Sequence, residues 1–142
     1  MTHRNNRFLS LGGTLNFRHI AEADSAVLLF CSFGKDRPGI AAALLLVALE
    51  VPREVIREDY LLSAQAYQDV SAVISRLEYL SGVKNLGSYR TIIEPVLTVQ
   101  SVYFEVFWDT MERLAGSGVK FLHDYLGISS STLKTLQEKF TE

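Results

Sequence analysis

A single cysteine, Cys31, stands six residues before Arg37 in the stretch FCSFGKDRPG, with Gly34, Lys35 and Asp36 between them. The stretch follows an apolar run and precedes another. A loop that joins a strand to a helix N-terminus points its N–H groups and the positive end of the helix dipole at one place, suited to a phosphate-sized anion. The same field favours a thiolate, and thiols beside cationic groups at helix N-termini have pKa values lowered to about 3.5–7.5. Cys31 then reads as a nucleophile and Arg37 as a planar clamp giving paired hydrogen bonds to phosphate oxygens. Gly34 lets the backbone turn closely around the ligand. The chemistry implied is attack on phosphorus to give a phosphocysteine, hydrolysed afterwards by water. Asp36 is the carboxyl nearest the site in sequence and the candidate acid for the leaving group. The phosphate-binding set is Ser32, Phe33, Gly34, Lys35 and Arg37, with Lys35 also able to meet a second phosphate.

The elements that must hold this loop follow from hydropathy. Residues 26–31, AVLLFC, are apolar without alternation and predict a buried strand ending at the cysteine. TLNFR, 14–18, predicts a second short strand, and 1–13 a flexible arm. Pro38 suits the first turn of a helix, and the run from Ile40 to Leu49 continues it, apolar on every side and therefore buried. Pro52 opens the next helix, with Val55, Ile56 and Leu62 packing inward. Asp69 caps another, in which Val70, Val73, Ile74 and Leu77 share a face until Ser81 and Gly82 end it. Residues 83–95 read as loop. Thr98 is the expected cap of a long helix whose Val99, Val102, Tyr103, Val106, Phe107 and Leu114 form one face, ending near Gly116. Helices over about 118–126 and 131–140 follow.

The expected fold is thus α/β: few parallel strands, a mostly helical carboxyl-terminal half, and a single domain over 14–142. At 142 residues, 48% of them hydrophobic, the chain suffices for one core. Sixteen acidic and fourteen basic residues nearly balance, which argues against nucleic acid as partner. The longest apolar run is about half the ~20 residues of a membrane span. One cysteine precludes an internal disulfide, and with no apolar leader at the start a cytoplasmic location is the expectation. His3, His19 and His123 are far apart, so no metal is expected. A nucleotide-binding Walker loop fails because Leu29 replaces its first glycine and Asp36 the hydroxyl residue after its lysine. No cofactor is expected. Tyr103, Phe104, Phe107 and Trp108 read as core, and Asp59 and Tyr60 as helix packing behind the loop. A sheet so small leaves apolar surface uncovered, which makes a homodimer an expectation.

Residues 31–39 resemble the signature of cysteine-dependent phosphatases, and among them the tyrosine-phosphatase-like family of bacteria and fungi with Cys-x-x-Gly-Lys-Asp-Arg-Thr-Gly. VPREVIREDYLLS, 51–63, is similar to the segment after that family's loop helix, and YFEVFWDTMERLAGSGVKFLHDYLGIS, 103–129, to its carboxyl-terminal end. The resemblance implies hydrolysis of phosphoprotein or phosphoinositide monoesters, Asp36 as general acid and Lys35 near lipid phosphates. Three departures accompany it. Phe30 replaces the histidine before the cysteine. Pro38 replaces a threonine whose hydroxyl can bond the sulfur. GGTLNFR, 12–18, resembles the family's amino-terminal motif, yet the elements that normally lie between it and the cysteine are absent; either the middle is lost, or that likeness is chance and the chain begins late. The first two imply reduced activity, and with them an alternative: a pseudophosphatase that binds phosphorylated ligands without efficient turnover.

Overall fold

The computed structural model describes residues 17–31 and 33–141. Among them the regular elements are all helical: α1 (Phe17–Glu22), α2 (Asp36–Ala48), α3 (Arg53–Leu62), α4 (Val70–Ser81), α5 (Arg90–Leu97), α6 (Ser101–Ala115), α7 (Gly118–Asp124) and α8 (Ser130–Phe140), with 3₁₀ turns over Ser63–Tyr67 and Leu86–Tyr89. The α/β expectation is therefore corrected: the described residues hold no strand and no sheet. Residues 26–30 carry no regular secondary structure: a strand's polar edges need neighbouring strands, and the described residues offer none. Only Leu29 of this run packs on the core, while Leu28 is 80% and Phe30 63% exposed. Of the proposed strand 14–18, Phe17 and Arg18 instead begin α1, with Phe17 buried in the core. Residues 14–16 and the expected arm 1–13 lie outside the described residues.

Helix α2 is the hub, touching α3, α7 and α8. Its uniformly apolar sequence is used as the hydropathy predicts: Ala41, Ala43, Leu44, Val47 and Ala48 are buried, and Leu45 and Leu46 pack against the same core. Small residues let neighbours come close. A Cβ on Gly118, the first residue of α7, would stand 2.6 Å from Val47 Cγ1. Helix α8 closes the other side with Leu133 and Leu136 and satisfies carbonyls at two helix ends. Gln137 Nε2 donates to Ala48 O at 3.0 Å, and Lys139 Nζ donates to the carbonyls of Ile20, Ala21 and Ala23 at the end of α1.

Helix α3 starts after Pro52 as the sequence predicts, but its packing face is Ile56 and Tyr60; Val55 and Leu62 are exposed. Helix α4 has the expected cap, Asp69 accepting from Ala72 N at 3.0 Å, and ends at Gly82 in a left-handed conformation. The loop expected over 83–95 is instead the 3₁₀ turn and α5, which continues through Pro95. Proline near the carboxyl end of an eight-residue helix removes one hydrogen bond and leaves Ile93 and Leu97 free to pack on α4. Val70, Ile74 and Leu97 form the centre of a second, smaller cluster there.

Helix α6 is rotated relative to its expected face. Phe104, Trp108 and Met111 are buried, whereas Val102, Tyr103, Val106 and Leu114 are exposed. Its N-cap position is Gln100; Thr98 lies extended in the link from α5. The observed face is accompanied by a clamp to α3. Arg53 Nη2 and Arg57 Nε donate to the two oxygens of Glu105 at 2.6 and 2.7 Å, and the Arg53 guanidinium lies 5.4 Å over the Trp108 ring. Hydrogen bonds from Arg57 and Arg53 hold the Glu105 carboxyl below its usual range. A depressed carboxyl adds stability above its unfolded pKa, about 4.3, and that contribution is lost as pH falls through the folded value. Wild type is therefore expected to melt above Glu105→Gln at pH 7 and to lose that margin progressively as pH falls below about 4.3; a gap that does not narrow on acidification would remove the clamp. Gly118→Ala is expected to cost about 1–3 kcal/mol by overpacking in urea unfolding, with part of the loss recovered in combination with Val47→Ala.

Candidate active site

The loop between residues 26–30 and α2 is built around two backbone features. Gly34 N donates to Cys31 Sγ at 3.3 Å, and the φ of +68° at the same residue, a conformation that L side chains adopt at a cost, turns the chain into α2. The first turn of α2 then supplies its unsatisfied N–H groups, Pro38 lacks the one that would be wasted there, and Gly39 N donates to Lys35 O at 2.8 Å. Burial pushes the Cys31 thiol up, but the N–H groups of Phe33, Gly34 and Lys35, with the charge of Arg37, outweigh it, so the thiol lies below its ordinary value. Cys31 is only partly buried. The sulfur thus has the environment of a nucleophile that remains open to solvent.

The expected site residues separate into two directions. Cys31, Phe33, Gly34 and Arg37 form the sulfur's surroundings; Ser32 lies outside the described residues. Lys35 contributes its backbone N–H to the sulfur, but its side chain turns the other way. The residue is 2% exposed, and Nζ donates to both oxygens of Asp36 at 2.7 Å and to Thr98 O at 3.1 Å. Asp36 is half exposed and shares its carboxylate with that ammonium.

Beside the loop lies an apolar groove of about 660 Å³. Lys35, Asp36 and Arg37 form its polar end; its walls are Ile40, Tyr60, Pro95, Val96, Tyr103, Val106 and Phe107, with Thr110 beyond. Cys31 is not on this wall, so Arg37 and Asp36 are the link between sulfur and groove. Tyr60 is seated by two contacts. A Cβ on Gly39 would come within 2.9 Å of its ring, and the ring packs on Phe104 with centroids 5.6 Å apart. Burial first, then the negative charge of Asp36 and the nearby Tyr103, holds the Tyr60 hydroxyl above its ordinary value. Asp59 is on the exposed side of the same helix. Tyr103, expected in the core with Phe104 and Trp108, is a groove residue, and Phe107 is partly buried between the two.

A thiol biased toward its anion, next to a guanidinium at the start of a buried helix, defines a nucleophile-and-anion site. The comparisons with known proteins agree with that class. Residues 14–142 match the model of the tyrosine phosphatase family, and the chain belongs to that family. It is 30% identical over 118 residues to a Cupriavidus necator protein named as a candidate tyrosine-protein phosphatase, covering 83% of this chain and 41% of that one. It is 30% identical over 148 aligned positions to the triple specificity protein phosphatase PtpB of Mycobacterium tuberculosis, covering 96% and 53%. A tyrosine-protein phosphatase of Nostoc commune is 49% identical over 47 residues, 33% of this chain and 16% of that one. The chain spans about half the length of the first two relatives.

Alkylation by iodoacetamide across pH is expected to give a Cys31 midpoint below the free thiol's about 8.5, moving upward in Arg37→Gln. A midpoint at or above the free value would remove the electrostatic account of the loop.

Proposed function

We propose that this domain is a cysteine-dependent phosphatase acting on phosphomonoesters of the phosphotyrosine or phosphoinositide type. The observation that carries the reading is the sulfur at 3.3 Å from the Gly34 N–H, in a loop whose amides and Arg37 favour the thiolate. In this reading the phosphoryl group binds against the amides of Phe33, Gly34 and Lys35, with Ser32 completing the loop and Arg37 clamping two oxygens. Cys31 Sγ attacks phosphorus as the ester P–O bond breaks, the electron pair leaving with the oxygen, which takes a proton from Asp36. Water then attacks the phosphocysteine, the S–P bond breaks, the thiolate is regenerated, and the water's proton returns to Asp36. Family membership and the names of the relatives support phosphatase chemistry; the apolar groove at the end of the loop supports a substrate with an apolar or aromatic body.

Cys31→Ser is expected to abolish release of 4-nitrophenol from 4-nitrophenyl phosphate, by about 10³-fold or more as expected for loss of the attacking nucleophile. Equal release by wild type and variant would end the catalytic reading.

One observation favours the second reading, a phosphate-binding module with little turnover. Both oxygens of Asp36 are engaged by the Lys35 ammonium, which competes with proton donation, and Pro38 is buried without a hydroxyl to offer the sulfur. That reading expects saturable binding of vanadate with hydrolysis near background. Absence of vanadate binding would discard it.

A further inference from the structure

Lys35 is the one buried charged residue among the described residues, at 2% exposure, and its two ends serve different places. Its backbone N–H belongs to the group that faces the Cys31 sulfur. Its ammonium reaches Thr98 O, 63 positions along the chain, in the extended link between α5 and α6, and on the way grips Asp36 with both oxygens at 2.7 Å. An ammonium has three donors, and Asp36 Oδ1, Asp36 Oδ2 and Thr98 O account for three. The Lys35 side chain is 1% exposed, so these protein groups are its surroundings, while the Asp36 carboxylate also faces solvent. Pro95 and Val96 of the groove wall lie in the last turn of α5, directly before the α5–α6 link, so the ammonium ties the sulfur's loop to the end of the surface on which a bound ester would lie.

We propose that Lys35 is a positioning residue, fixing the Asp36 carboxylate and the α5–α6 link relative to the loop, and that its ammonium does not contact the phosphoryl group. This inference rests on the phosphatase reading for its kinetic consequences and on the geometry alone for its placement. A lysine whose head group is spent within the protein adds no contact to a phosphate. It acts only through the carboxylate it holds and the wall it ties down. Charged and titratable groups facing the pair are Arg37 on α2, Tyr60 on α3 and Tyr103 on α6, all on the same groove.

Kinetics of Lys35→Met with 4-nitrophenyl phosphate and with phenyl phosphate, a poorer leaving group, separate positioning from contact. The expected result is a fall in kcat of about tenfold on phenyl phosphate and a smaller fall on 4-nitrophenyl phosphate, as befits a group acting through the acid. KM and the inhibition constant of vanadate should stay within about twofold, and Lys35→Met added to Asp36→Asn should cost less than about twofold more. A rise in KM and vanadate constant at unchanged kcat, or full multiplicative losses in the Asp36→Asn background, would overturn the proposal. Placement is read separately, in wild type, by ¹⁵N spectroscopy of lysine ammonium groups at pH 7. Lys35 should give a signal protected from exchange with water and displaced in Asp36→Asn. Were every ammonium to exchange freely, the latch would be refuted even in an active enzyme. Conversely, equal hydrolysis by wild type and Cys31→Ser would end the phosphatase reading while leaving a protected signal, and with it the latch, in place.

Discussion

The turn at Gly34 is the constraint on which the rest of this molecule depends. The Gly34 N–H, oriented by the peptide unit it shares with Phe33, reaches the Cys31 sulfur, and φ at +68° then turns the chain so that α2 begins two residues later. Once that helix starts, its burial fixes everything around it. Gly39 admits the Tyr60 ring, Val47 leaves room only for a glycine at 118, and Ala48 ends the helix against Gln137 of α8. Loop and hub are therefore one unit. The electrostatics of the sulfur follow from where α2 begins, and where α2 begins follows from a core of small and aliphatic side chains.

Much of this was legible in the residues. The spacing of Cys31, Gly34 and Arg37 and the proline in the first helical turn indicate the loop and its dipole, because those demands are local. The cap at Asp69 and the stops at Gly82 and Gly116 are local too, and the structure keeps them. The rotation of α6 was not legible. That helix is apolar on two sides, and periodicity cannot say which stripe faces the core; the one buried is Phe104, Trp108 and Met111, and beside it Glu105 meets Arg53 and Arg57 from another helix. Helix α5 was hidden by Pro95, a breaker whose position near the helix end makes it tolerable. Lys35 was the least legible of all. Nothing local distinguishes a solvated lysine from one that crosses to a carbonyl at Thr98, since the partner is set by tertiary packing.

The sheet was misjudged for a different reason. An uninterrupted apolar run such as 26–31 has the composition of a buried strand, but a strand is defined by its neighbours. Among the described residues those neighbours are helices, and they cover only Leu29. Val27, Leu28 and Phe30 keep the character of core residues while facing outward. Composition records what a segment is suited to bury; it does not record whether the covering element is there.

That asymmetry bears on how the loop is held. Its carboxyl-terminal side is supported by α2, by Tyr60 of α3 and by the Lys35 bonds to Asp36 and Thr98, all within the helical core. Its amino-terminal side packs on the core through Leu29 alone among the five consecutive apolar residues 26–30. The amides that act on the sulfur, those of Phe33, Gly34 and Lys35, lie on the supported side. A thiol can therefore be polarised by a loop anchored at one end, because the field comes from the three residues nearest the helix and from Arg37 within it. The sulfur itself is carried on residues 26–31, which belong to no regular element. The amides and the sulfur they face are set by different parts of the fold: the helices determine the first, and the path of residues 26–30 determines the second.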